Sequence, residues 1–291
     1  MTGPWRSRAW WSYAQARRVV TRAGSSRPAR IATGGSDRRN ASSWTEHLAA
    51  RHLAYRSAIE PASGAVAVLC VTNRPHLLDA LLDGVARQSH PITELVIVTN
   101  AAAFDDVDVA AAATTRGRDL PPVTVLERAP SVSLGACLNA AIDATDARFV
   151  AKFDDDDVYG PHYLADSMRA HAYAGAAVVG KHTYYAYLAE QDRTVLRFPT
   201  HEFSYSSTLA GGTLVIDRDR IGSVRFADVS IGEDRAFIAA CLRRGAATFS
   251  ADRFSFTQTR SGDNTWNVDL ERFLIGTTPV QSGNAADVVD L

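Results

Sequence analysis

An α/β fold with a mixed, mostly parallel central sheet flanked by helices is what the sequence predicts, on three observations. Short continuous apolar runs recur from about residue 64 onward, fit for strands buried on both faces. Stretches of helical period lie between them. Four consecutive carboxylates, Asp154 to Asp157, close one of the apolar runs, at the kind of strand end where α/β sheets bind ligands.

The elements follow in chain order. Trp5, Ala9, Tyr13, Ala16 and Val20 recur at helical spacing among arginines, so a basic amphipathic helix is expected there, packed on the body or on a partner, or lying on a membrane surface. No apolar core of a signal peptide accompanies it. Residues 21–43 are rich in Gly, Ser and Arg and read as a linker. Ser43-Trp44-Thr45-Glu46 has the form of a capping box, Trp44, Leu48, Tyr55 and Ile59 share the face that follows, and Pro61 ends that helix. The expected division is a basic arm and linker over residues 1–60, a main domain over 61–275 and a loose tail over 276–291. Within the main domain, Ala65–Val71, Leu95–Thr99, Val123–Leu126 and Phe149–Phe153 are expected strands. Pro75–Gln88 and Leu134–Ala144 are expected helices. Further on, Val178–Val179, Thr183–Leu188, Thr213–Ile216, Thr248–Phe249 and Phe254–Thr257 are expected strands, and Glu233–Arg244 a helix.

Composition narrows the function classes. The 291 residues are 46% apolar and 22% charged, which excludes a mainly disordered chain, and no apolar run approaches the roughly 20 residues of a membrane span. Residues 1–60 hold eleven Arg, no Lys and three acids, a formal +8, whereas the remainder carries −9. An acidic body argues against a nucleic-acid groove and suits a site that gathers a divalent cation. Cys70, Cys137 and Cys241 lie far apart in apolar stretches without zinc-ligand spacing, and are expected to be buried free thiols of a reducing compartment.

The Asp run carries the chemistry. Adjacent carboxylates repel one another unless a cation or solvent compensates them. Their hard oxygens suit Mg²⁺ or Mn²⁺ bound together with a substrate diphosphate. Strand alternation places Asp154 and Asp156 on one face. An EF-hand loop fails at Val158, and neither a Walker loop nor a Gly-x-Gly-x-x-Gly fingerprint is present. Asp154-x-Asp156-x-Val158 formally matches a phosphatase nucleophile motif, which usually follows the first strand of its fold; here three expected strands precede it.

Residues 153–164, Phe-Asp-Asp-Asp-Asp-Val-Tyr-Gly-Pro-His-Tyr-Leu, resemble the Asp-rich segment of family 2 glycosyltransferases with the GT-A fold. Other pieces stand in that family's order: Val71-Thr72-Asn73-Arg74, Ser133-Leu134-Gly135 with Asn139, Gly211-Gly212-Thr213-Leu214, and Gly232-Glu233-Asp234-Arg235. The resemblance covers about residues 64–270. It implies Asp156 as direct metal ligand, with Asp154 on the ribose or the metal's water shell and Asp155 and Asp157 in support. Thr72, Asn73, Arg74, Asn100, Asn139 and Lys152 would complete the nucleotide-sugar site. Gly211, Gly212, Arg260 and Trp266 would lie on the acceptor or sugar side. Thr99-Asn100 stands where the family often has a base-contacting Asp, and Ser261 where many relatives carry a ligating His. The Gln-x-x-Arg-Trp motif of processive synthases is absent, which points to transfer of one sugar.

The expected activity is therefore an inverting transfer from a nucleotide-diphosphate sugar, by default a UDP-sugar, to a hydroxyl acceptor. Mn²⁺ or Mg²⁺ assists, Asp234 is the general base and Glu233 stands beside it. A cytoplasmic location is expected, with the Arg/Trp arm available for protein contact or peripheral contact at the inner membrane face. The competing expectations are a non-catalytic GT-A-like binding or scaffold protein and a phosphotransferase acting through Asp154.

Overall fold

Val66, Val68 and Cys70 alternate with Ala67 and Leu69 along one strand, and all five are apolar because both faces of that strand are covered. The computed structural model describes residues 52–114, 117–262 and 268–284. The expected amphipathic helix over residues 5–20, the linker, the capping box and Trp266 lie outside the described residues. The strand is β1 (Val66–Thr72), and it pairs in parallel with β2 (Glu94–Thr99) and β4 (Phe149–Phe153), while β2 pairs in parallel with β3 (Val123–Glu127). Beyond β4 the sheet continues through β10 (Val215–Asp217), β6 (Val178–Gly180), β11 (Thr248–Ser250) and β9 (Ser204–Tyr205). Its order is β3-β2-β1-β4-β10-β6-β11-β9, with β10 and β9 antiparallel to their neighbours. The predicted mixed, mostly parallel sheet is thus present.

The helices divide between the two faces. Leu78, Leu81, Leu82 and Val85 of α2 (Leu78–Ala86) and Tyr163, Leu164 and Met168 of α5 (Tyr163–Ala174) pack against Val66, Val68, Phe149 and Phe153. On the other face, Cys137, Leu138, Ala141 and Ile142 of α4 (Leu134–Asp143) and Phe237, Ile238 and Cys241 of α7 (Glu233–Arg243) cover Ala67, Leu69, Val96 and Val150. All three cysteines are buried free thiols, as expected. The remaining short helices are α3 (Val109–Thr114), α6 (Arg218–Ile221) and α8 (Leu270–Leu274). The described part of α1 spans 52–58 and buries His52 and Tyr55 against the body.

A second sheet differs from expectation. It has the order β13-β8-β7-β12-β5, built from β5 (Val158–Tyr159), β7 (Tyr184–Leu188), β8 (Arg193–Arg197), β12 (Phe256–Arg260) and β13 (Thr277–Ser282). The tail expected to be loose after Gly276 instead supplies β13, antiparallel to β8 with an irregularity between Pro279 and Gln281. The strand expected at Phe254–Thr257 starts two residues later, because Ser255 takes a positive φ of 58° that interrupts the extended chain. The strand expected from Thr213 starts at Val215, since Gly211–Thr213 forms a 3-10 turn.

Candidate active site

The site is assembled at the carboxyl edge of the larger sheet. β1 ends at Thr72 and β4 at Phe153, and these strands are neighbours, so Thr72 and Arg74 meet the Asp run directly. The Thr72 hydroxyl donates to Asp155 Oδ2 at 2.5 Å. The Arg74 guanidinium pairs with both oxygens of Asp155 and, through Nη1, with Asp156 Oδ2 at 2.9 Å. Asp155 is therefore spent on holding β1 and β4 in register at the site. Asn73 is exposed beside this pair.

Lys152 is the last residue but one of β4, is buried, and pairs with Asp154 Oδ1. Burial alone would lower its pKa, but the carboxylates of Asp154, Glu233 and Asp234 around it outweigh that and raise it. The ammonium thus stands between the Asp run and α7. Asp157 Oδ1 accepts from the Thr259 N–H at 3.0 Å, tying the run to β12. Arg260, the next residue, lies within electrostatic reach of Asp156 and Asp157.

Gly211 and Gly212 decide how closely these groups approach. A Cβ on Gly212 would lie 2.7 Å from Asp157 Oδ2 and 2.8 Å from Asp154 Oδ2. A Cβ on Gly211 would lie 2.2 Å from Asp234 Oδ2. Two successive glycines of one turn therefore approach the Asp234 carboxylate and the Asp run. Asp234 reaches this place from the first turn of α7. Glu233 beside it is buried, and its pKa is raised by burial, Lys152 opposing and Asp234 adding to the shift.

By formal charge, six carboxylates, those of Asp154, Asp155, Asp156, Asp157, Glu233 and Asp234, stand near three cations, Arg74, Lys152 and Arg260. Burial, then the neighbouring Asp154 carboxylate, raises Asp156 despite Arg74. Burial, with Asp154 and Asp156, raises Asp157 well above the carboxylate range. Hard carboxylate oxygens gathered at a strand end are the ligand type that Mg²⁺ and Mn²⁺ take. Among the described residues the Asp run does not bring three ligand atoms within 4.8 Å of one another. A cation here would be completed by substrate oxygens, as Mg²⁺ commonly is in phosphate sites.

Two sequence-predicted residues are otherwise engaged. Asn139 donates from Nδ2 to the Phe226 carbonyl and accepts from the Phe226 N–H, both at 2.9 Å, so its amide fastens α4 to the segment leading to α7. Asn100 donates to the Val132 carbonyl at 3.4 Å. Sequence reasoning missed Tyr159, whose aromatic ring reads as core and whose hydroxyl contacts the Asp run.

The three residues that do come within 4.8 Å of one another are elsewhere: His52, Asp166 and Asp252. Asp166 pairs with His52 at 3.0 Å, with Arg56 at 2.9 Å and with Arg169 at 3.2 Å, and Asp252 pairs with Lys181 at 3.2 Å. Two carboxylates surrounded by two guanidiniums and an ammonium already carry a surplus of positive charge. Adding a divalent cation there would increase it, so this cluster is a buried ion-pair network that docks α1 on the body.

A family model, Glycosyl transferase family 2, matches residues 66–230, more than half of the chain. No curated protein matches the sequence. Among solved structures, S. aureus TarS 1-349 aligns with a TM-score of 0.53 at 18% identity, covering 67% of this chain and 60% of that one. The same TarS fragment in complex with UDP-GlcNAc aligns at 0.52 and 16% identity, covering 72% of this chain and 64% of that one. Mannosyltransferase PcManGT from Pyrobaculum calidifontis, in complex with GDP-Man and Mn²⁺, aligns at 0.55 and 14% identity, covering 89% and 66%. The chain thus spans somewhat less than two thirds of these structures, which share its fold, mixed sheet and flanking helices alike. The strand-end carboxylates, the glycine turn and the family match all fall within one region, and the chain belongs to glycosyl transferase family 2 with the GT-A fold.

Proposed function

We propose that the protein is an inverting, metal-dependent glycosyltransferase that moves one sugar from a nucleotide-diphosphate sugar, UDP-linked by preference, to a hydroxyl acceptor. The observation that carries this reading is the Gly211–Gly212 turn, whose first glycine closely approaches Asp234 and whose second closely approaches Asp154 and Asp157. A base and an anionic strand end held within a few ångströms of one backbone turn suit a reaction with opposite needs at its two ends. The attacking hydroxyl must lose a proton, and the leaving diphosphate must be held while it gains charge.

Asp234 takes the acceptor proton as the oxygen attacks the anomeric carbon. Attack and departure on opposite sides of that carbon invert its configuration. Asp156 and Asp154 are the residues that would hold the cation, which would neutralise the charge developing on the diphosphate. Lys152 holds Asp154 in place, and Arg74 holds Asp155 and Asp156. Thr72 and Asn73 are assigned to the nucleotide side, and Arg260 of β12 lies within electrostatic reach of the Asp run. The donors in the neighbouring structures, UDP-GlcNAc and GDP-Man with Mn²⁺, are of the proposed chemical class. Among the described residues no helix is long and apolar enough to cross a membrane.

The test is sugar transfer with the anomeric configuration of the product read by NMR. Inversion is expected. Asp234→Asn is expected to lower kcat by roughly 10²–10⁴-fold, the usual worth of a general base, and to leave donor binding intact. Retained configuration, or full transfer by both Asp234→Asn and Asp156→Ala, would overturn the reading.

A further inference from the structure

Tyr159 is the second residue of the two-residue strand β5, and β5 pairs with β12 through Phe256 opposite Tyr159. Its ring is 3% exposed and stacks flat on Phe153, with centroids 3.8 Å apart and planes 7° from parallel. Phe153 is the last residue of β4, so the stack fixes the ring against the root of the Asp run. The hydroxyl then makes two hydrogen bonds. It accepts from the backbone N–H of Asp154 at 2.8 Å and donates to the backbone carbonyl of Gly212 at 2.7 Å. The two segments it joins are 58 residues apart in sequence, and they meet where an added Cβ on Gly212 would touch Asp154 and Asp157.

We infer that Tyr159 is a positioning residue: its hydroxyl sets the spacing between the Asp154 main chain and the Gly211–Gly212 turn, and through that turn the spacing between the cation-binding carboxylates and Asp234. The inference rests on the proposed reading of the site and deepens it. A rigid, stacked ring has few ways to move, so the hydroxyl acts as a fixed strut. Deleting it leaves an N–H and a carbonyl, both at the site, without their shared partner. The segments would then separate or admit water, and Asp154 would no longer meet a bound cation in the same place. Residues that orient metal ligands from behind typically govern metal affinity by about 10–100-fold.

The experiment follows the thermal stabilisation of the full chain by UDP, GDP, dTDP and CDP while Mn²⁺ is titrated, and reads the half-saturating Mn²⁺ concentration. Tyr159→Phe keeps the ring and its stack and is expected to raise that concentration about tenfold or more, with the ligand-free melting temperature much less affected. Tyr163→Phe is the control. Tyr163 belongs to the same aromatic group, with its ring 5.0 Å from that of Tyr159, but its hydroxyl bonds to neither Asp154 nor Gly212. It is expected to keep the unaltered Mn²⁺ dependence. Should Tyr159→Phe not fold, Phe153→Leu keeps the hydroxyl but removes the ring on which Tyr159 is stacked, and is expected to shift the Mn²⁺ dependence in the same direction. An unchanged Mn²⁺ requirement in a folded Tyr159→Phe or Phe153→Leu protein, or an equal shift in Tyr163→Phe, overturns the inference alone. Absence of any metal-dependent nucleotide response in the unaltered protein overturns the inference and the proposed function together.

Discussion

The Gly211 position shows how a single missing methyl can separate activity from stability. An alanine there would place its Cβ 2.2 Å from Asp234 Oδ2, which is the free end of a half-buried side chain and not part of the backbone. The carboxylate can swing away at little cost to the fold, but it then leaves the place from which it would accept a proton. Gly211→Ala is expected to reduce kcat by about 100-fold, the scale associated with an ångström of misplacement, while the melting temperature changes little. A large loss of stability with kcat unchanged would contradict this account. At the same scale, the Asp run was legible in the sequence because four charges at the end of a buried strand need compensation. The Glu233-Asp234 pair was legible as the start of a helix. Asn139 was not, because its amide is consumed by the Phe226 backbone, a partner 87 residues away that no local pattern reveals. Tyr159 escaped notice for a related reason. A tyrosine among apolar residues reads as core, and only the fold shows that its hydroxyl reaches two main-chain groups.

Elements that join distant parts of the chain were the harder ones to read. Continuous apolar runs gave β1, β2 and β4 to within a residue or two, because strands buried on both faces have that signature. β8 and β13 lack it. β8 opens and closes on Arg193 and Arg197, and β13 carries Pro279 within an exposed edge, so their pairing is fixed by each other and by β7 rather than by local pattern. The docking of α1 is likewise a matter of ion pairs formed over long separations. Asp166 is almost fully buried and is held by His52, Arg56 and Arg169. Burial opposes its ionisation, but hydrogen bonds from His52 and Arg56 outweigh that and lower its pKa to about 2. A carboxylate with a depressed folded pKa stabilises the fold above its ordinary pKa, and that contribution is lost as pH falls through the folded value. Asp166→Asn is expected to cost about 3–5 kcal/mol at neutral pH, and the difference from the unaltered protein should shrink as pH falls from about 4 towards 2. Chemical denaturation across that range checks it, and a difference independent of pH would count against the ion-pair account.

Over the whole molecule, charge and topology act together. Parallel strands β1 and β4 deliver Thr72 and Asp154 to the same sheet edge, and β10, entering antiparallel beside β4, brings the Gly211–Gly212 turn to meet them. α7 then sets Asp234 against Gly211 of that turn. The fold thereby gathers six carboxylates beside Arg74, Lys152 and Arg260 at one sheet edge, and the central proposal is that a divalent cation and a nucleotide diphosphate bind there together. Calorimetric titration of UDP and GDP into the full chain, with Mn²⁺ and with EDTA, for the unaltered protein and for Asp156→Ala, measures this most directly. The account expects one diphosphate to bind with Mn²⁺ and not with EDTA, and the Asp156→Ala protein to lose at least about tenfold in affinity. Equal binding with Mn²⁺ and with EDTA, or full affinity in Asp156→Ala, would contradict it.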